Sequence, residues 1–233
     1  RIIIGGMHPS CFLNESLDHF PEANFAFQGE AEVGLPLLLE NLYSPVINNL
    51  SSIPGLIWRN NGNILNNPPI YLKDLDSLGM PAWDLIDPRE YNYQTFLITK
   101  CKVVAPIIAT RGCPYRCTFC SGHLITGRQV RAHSVDYIID EINFLYTKFN
   151  IREISFVDEN LCIKKDFLED FCNRLIKQKI KIDWSLITRL NLLDKNILKL
   201  MERAGCYLID VGIESGSQRV LNHMQKRLTL EII

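Results

Sequence analysis

Val103-Val-Ala-Pro-Ile-Ile-Ala109 runs directly into Thr110-Arg-Gly-Cys-Pro-Tyr-Arg-Cys-Thr-Phe-Cys120. The apolar run has the length of a buried strand and is far short of a membrane span. Three thiols at spacings of four and three follow it in a loop. Downstream, apolar runs at 154–157, 182–187 and 207–213 repeat the strand signal. Amphipathic stretches separate them. Val135, Ile138, Ile139, Ile142, Leu145, Tyr146 and Phe149 recur at helical spacing behind Ser134, a natural N-cap. Phe167, Phe171 and Leu175 form a second stripe, with Leu168, Cys172 and Ile176 beside it, and a third helix starts at Asp194 and ends before Gly205. Strand–helix alternation of this kind builds a parallel sheet whose functional residues gather at the carboxyl ends of its strands. The expected class is therefore α/β.

Towards the amino terminus, Ile2 to Ile4 followed by Gly5-Gly6 reads as a buried strand entering a tight turn, and Phe25 to Phe27 followed by Gly29 repeats the pattern. Val33 to Leu42 reads as a helix. Residues 59–100 change character. Asn60-Asn-Gly-Asn63 and Asn66-Asn-Pro-Pro69 are turn chemistry, and Leu75, Leu78, Met80-Pro81 and Trp83 follow without a sustained period. The expected organisation is an α/β domain over 1–58, a linker over 59–100 that packs between two domains, and a strand–helix core over 101–233. The chain opens at Arg1 on a strand pattern and stops at Thr229-Leu-Glu-Ile-Ile233, which reads as the start of a helix, so both ends read as cuts in a longer protein.

Lys+Arg of 25 against Asp+Glu of 26 leaves a net charge of −1 over 233 residues. No basic field steers the chain towards nucleic acid or anionic lipid, and a small or uncharged substrate fits better. Of the eight cysteines, three are clustered, while others such as Cys162 and Cys172 sit singly in apolar patterns. That usage predicts a reducing, cytoplasmic setting rather than a disulfide framework. Neither a transmembrane run nor a signal-peptide pattern is present in the sequence as it stands.

Three thiolates on one loop suit a single metal centre. They can ligate three irons of a 4Fe-4S cube and leave the fourth iron open to an exogenous ligand. The alternative is a structural zinc site in which His123 completes a Cys3His set.

The CxxxCxxC spacing of Cys113, Cys117 and Cys120, with the aromatic Phe119 just before the last thiol, resembles the signature of the radical S-adenosylmethionine (SAM) superfamily. That resemblance implies that SAM chelates the open iron through its amino and carboxylate groups, and that an electron from the cluster yields a deoxyadenosyl radical. It implies a partial (βα) barrel, in which only four of the usual six strand–helix units are present. Val157-Asp-Glu-Asn160 is similar to the family segment at the SAM amino group, which implicates Asp158 and Glu159. Thr188-Arg-Leu190 places Arg189 where the family meets the SAM carboxylate, and Gly212-Ile-Glu-Ser-Gly216 resembles the ribose segment, which implicates Glu214 and Ser215. No catalytic residue beyond the cluster ligands is implied.

Ile4-Gly-Gly-Met-His-Pro9, Phe27-Gln-Gly-Glu-Ala-Glu32, Leu75-Asp-Ser-Leu78 and Pro81-Ala-Trp-Asp84 resemble a subgroup with a Rossmann-like cobalamin-binding domain ahead of the barrel. The chain would then carry the C-terminal part of that domain, with Gly5 and Gly6 admitting the nucleotide tail of cobalamin to the backbone. His8 follows the double glycine, whereas the subgroup's cobalt-ligating histidine precedes it. The subgroup implies methylation or cyclisation of an unactivated carbon, a small-molecule, lipid or tetrapyrrole substrate, and a one-electron reductant such as flavodoxin or ferredoxin. A methylthiotransferase is the second enzyme reading. It requires further cluster cysteines early in the chain, and only Cys11 precedes Cys101. A non-catalytic iron–sulfur or zinc module is the third reading, and it requires a fourth ligand.

Overall fold

The computed structural model describes residues 1–44, 49–91 and 98–233. Part of the expected linker, residues 92–97, lies outside the described residues. The chain divides into two compact units, one of Arg1–Lys73, Gly112–Pro114 and Phe119–Gln129, the other of Asp74–Arg111, Tyr115–Thr118 and Val130–Ile233.

The first unit holds strands β1 (Ile3–Ile4), β2 (Phe25–Phe27), β3 (Leu56–Asn60) and β4 (Asn63–Asn66), in that order across one sheet. Helices α1 (Met7–Phe12), α2 (Glu15–His19), α3 (Gly34–Tyr43) and α4 (His123–Thr126) accompany them. β1 and β2 are parallel, with Ile3 opposite Phe25, and the two later pairings are antiparallel. Asn61 and Gly62, at φ 49° and 82°, close a two-residue hairpin between β3 and β4. Asn-Gly favours the primed turn that matches strand twist. Residues 59–66, which the turn chemistry alone places in a linker, are therefore part of this sheet. Phe27, Leu38, Ile53, Leu56 and Trp58 form one small core, and Leu17, Ala23, Ala26 and Ile57 another.

The second unit is built on a four-stranded sheet in the order β10-β9-β8-β5. Its strands are β5 (Ala105–Ile107), β8 (Glu153–Phe156), β9 (Asp183–Thr188) and β10 (Cys206–Val211). All are parallel and sequential neighbours pair, as the alternation predicts. A short antiparallel pair, β6 (Thr110–Arg111) with β7 (Arg131–Ala132), sits apart from it. The crossovers are α5 (Val135–Lys148), α6 (Lys165–Gln178) and α7 (Lys195–Arg203), and α8 (Gln218–His223) follows β10.

Local signals explain the helix ends. Ser134 Oγ accepts from the Tyr137 amide, and Asp194 accepts from the amides of Asn196 and Ile197, so both expected N-caps are in place. The inward faces of α5 and α6 meet the sheet through Ile138, Ile142, Leu168, Phe171 and Leu175. Phe156, Phe171 and Trp184 pack edge to face with centroids 5.4–5.7 Å apart, and Trp184 Nε1 donates to the Ala204 carbonyl at 2.9 Å. Trp83, from the stretch expected to wrap a surface, donates through Nε1 to Glu141 at 2.9 Å. Residues 229–233 form a turn in which the amides of Ile232 and Ile233 donate to the Thr229 carbonyl.

Candidate functional site

The loop that bears the cysteines leaves β5 and β6, and its root is held from below. Asp158, just beyond β8, is 3% exposed. Its Oδ1 accepts from Thr110 Oγ1 at 2.6 Å and from the Thr110 amide, and its Oδ2 accepts from the Ala109 amide at 3.2 Å. Burial pushes this carboxyl up to about 7, against the downward pull of those hydrogen bonds. The side chain thus fastens the end of β8 to the backbone that precedes the cysteines, instead of facing open space.

Within the first unit, Gly112 has φ +93°, and a Cβ there would meet the Gln129 carbonyl oxygen at 2.2 Å. Only glycine fits that approach. The Cys113 amide donates to the Gly127 carbonyl at 3.3 Å, while Phe119 and Cys120 are exposed. In the same unit Gly5 and Gly6 follow β1 with open space at both Cβ positions, and Gly6 has φ +89°. His123 begins α4.

The second unit gathers the other expected residues at the carboxyl ends of β9 and β10. Arg189 is 6% exposed, and its guanidinium stacks on Tyr115 at 3.9 Å from the ring centroid. Its Nη1 donates to Cys117 Sγ at 3.4 Å, its Nη2 to the Lys226 carbonyl, and its Nε to Asn191 Oδ1 at 3.3 Å. The Thr118 amide donates to the Met224 carbonyl at 3.0 Å, so the turn after α8 holds this part of the loop twice. Lys226 Nζ in turn donates to Glu214 Oε1 at 2.8 Å. Glu214 has φ +70°, a conformation that costs a non-glycine residue energy and clusters at functional sites. Ser215 Oγ accepts from the Ser217 amide at 3.1 Å and shapes the turn into α8.

Thr188 Oγ1 donates to Asn160 Oδ1 at 2.7 Å. Asn160 is 1% exposed, and its Nδ2 has no hydrogen-bond partner among the described residues. Glu159, between it and Asp158, is half-buried.

Cys117, Arg189, Lys226 and Glu214 therefore form one continuous chain of contacts, and Asp158 stands apart as the anchor of the loop root. Tyr115, the Lys226 carbonyl and the Thr110 hydroxyl take part without any signal in the sequence pattern, because each acts through a contact between distant segments. No cysteine is disulfide-bonded, and among the described residues no three His, Cys, Asp or Glu side chains converge as a metal site. Thiols have no attraction for one another before a metal arrives, and metal binding and local ordering are coupled.

Residues 107–233 match the family model for the radical SAM superfamily. The chain is 29% identical over 229 residues to an uncharacterized methyltransferase of Pyrococcus horikoshii, covering 98% of this chain and 48% of that one. It is 27% identical over 228 residues to the anaerobic magnesium-protoporphyrin IX monomethyl ester cyclase of a Synechocystis species, covering 97% and 44%. The chain thus spans less than half the length of these curated relatives. Its fold is similar to that of the cobalamin-dependent SAM radical enzyme OxsB with aqua-cobalamin and SAM bound, at a TM-score of 0.80 and 21% identity, covering 99% of this chain and 33% of that one. With the parallel sheet in sequential order and the family match extending over more than half of its residues, the chain belongs to the radical SAM superfamily.

Proposed function

We propose that the protein is a radical SAM enzyme in which Cys113, Cys117 and Cys120 hold a 4Fe-4S cluster and the strand ends of the second unit bind SAM. The observation that carries this reading is the contact chain from Cys117 through Arg189 and Lys226 to Glu214. It links a cluster-type cysteine to a strand-end carboxylate in a region the superfamily uses for its cofactor. Held there, cluster and SAM would supply, with one electron from a reductant, the radical chemistry needed for hydrogen abstraction at an unactivated carbon.

The residues present suit both groups. Three thiols on one loop leave one iron of a cube open. Three of the five guanidinium N–H groups of Arg189 are engaged by the described contacts, so one on each terminal nitrogen is left to meet a carboxylate. Asn160 Nδ2 is a buried donor that a bound acceptor would satisfy. Glu159 lies beside it for the SAM amino group, and Glu214 and Ser215 lie at the β10 end for the ribose. Phe119 flanks the last thiol, and Asp158 holds the loop root.

Relatives described as a methyltransferase and a cyclase, and a fold neighbour solved with aqua-cobalamin, support methylation or cyclisation with cobalamin as partner. The accessible backbone of Gly5 and Gly6 is the candidate contact for its nucleotide tail. The substrate class is a small molecule, lipid or tetrapyrrole, the reductant a flavodoxin or ferredoxin, and the setting cytoplasmic. No helix among the described residues is long and apolar enough to cross a membrane.

Full-length protein reconstituted anaerobically with iron and sulfide, then given dithionite and SAM, is expected to release deoxyadenosine, measured by chromatography. An intact cluster that yields none sinks the enzyme reading. Protein refolded with hydroxocobalamin and desalted is expected to keep corrinoid bands in its visible spectrum, and a colourless product removes cobalamin from the proposal.

A further inference from the structure

We infer that Arg189 is an N–H···S donor to the cluster-ligating Cys117 and makes the cluster easier to reduce, a role separate from any contact with SAM. This rests on the reading above that Cys117 ligates the cluster.

The geometry is specific. Arg189 Nη1 lies 3.4 Å from Cys117 Sγ. The guanidinium cannot easily swing away, because it is stacked on Tyr115, tied by Nη2 to the Lys226 carbonyl and by Nε to Asn191, and only 6% exposed. The backbone around it is held as well, since the Thr118 amide bonds to Met224 and the Lys226 ammonium bonds to Glu214. A buried guanidinium fixed against one cysteine sulfur is therefore built into the end of β9. Arginine keeps its charge at any pH the protein meets.

Reduction adds one negative charge to an iron–sulfur cluster and its thiolates. A cation and a hydrogen bond at a ligating sulfur stabilise that added charge, and both are recognised determinants of cluster potential. The guanidinium itself is only 6% exposed, so little water screens its own charge. Lys226, held by Glu214, contributes its carbonyl rather than its charge to Arg189, so its ammonium is balanced by a carboxylate. The guanidinium is the group whose charge faces the sulfur.

The test is an anaerobic redox titration of the reconstituted full-length protein, read by the electron paramagnetic resonance signal of the reduced cluster, without SAM. Arg189→Met keeps the length and removes the charge and all the donors. It is expected to shift the midpoint to a more negative potential than wild type. Arg189→Lys keeps the charge and loses the planar fork, and is expected to fall between the two. It also serves as the second variant should the methionine protein lose its fold, as judged by circular dichroism. Variants that hold wild-type iron and sulfide and titrate at the wild-type potential overturn the inference while leaving the cluster assignment intact. A wild type with no cluster signal overturns the cluster assignment and this inference together. A residue with only a packing role would change thermal stability and leave the potential where it was.

Discussion

Alanine at Cys113, Cys117 or Cys120 is expected to abolish the broad visible absorbance of the anaerobically reconstituted protein in each case, because three thiolates for three irons leave none to spare. The same substitution at Cys162, Cys172 or Cys206 is expected to spare it. The structure explains the contrast. Cys162 and Cys172 are buried in the core of the second unit, and burial pushes the thiols of Cys172 and Cys206 up to about 12, so they stay protonated and poor metal ligands. The loop cysteines lie at intermediate or exposed positions. Iron content and absorbance decide the matter, and a protein that loses its colour with Cys162→Ala but keeps it with Cys113→Ala would refute the assignment.

The second large effect is at Asp158. Replacing it by alanine strands three donors, the amides of Ala109 and Thr110 and the Thr110 hydroxyl, in a site closed to water. Each unsatisfied buried donor costs about 1–3 kcal/mol, and the costs overlap, so a loss of about 2–4 kcal/mol is expected in urea denaturation. A wild-type midpoint for Asp158→Ala would show that the carboxylate does not hold the loop. The side chain also sets a pH dependence. Its carboxyl titrates at about 7 in the folded chain, against about 3.9 when unfolded. Between those values the folded state keeps a proton that the unfolded state has lost. Its contribution to stability is therefore complete below the unfolded value and is lost as pH rises through about 7. Asp158→Asn, which has no proton to lose, is expected to flatten stability against pH over that window.

These two sites differ in how far they could be read from the chain alone. The cysteine assignment rests on spacing within one loop, so it can be argued from the chain alone. Asp158 was legible as a strand-end acid but not in its role, since its partners at Ala109 and Thr110 are brought to it only by the pairing of β5 with β8. The segment 59–66 shows the same division on the scale of the fold. Asn61-Gly62 announces a turn, but whether that turn joins two strands or opens a linker depends on whether Leu56–Asn60 has a sheet to pair with, which β2 supplies.

What the sequence determined by itself is the order of strands and helices in the second unit, its helix caps at Ser134 and Asp194, and the cysteine loop after the first parallel strand. These are local properties, governed by side-chain periodicity, backbone preference and short-range hydrogen bonds. What only the tertiary structure decided is what Arg189 does. From sequence it is one arginine after a strand. In the fold it lies against Tyr115, the carbonyl of Lys226 and the sulfur of Cys117, residues far apart in the chain that meet because parallel strands bring their carboxyl ends to one side of the sheet.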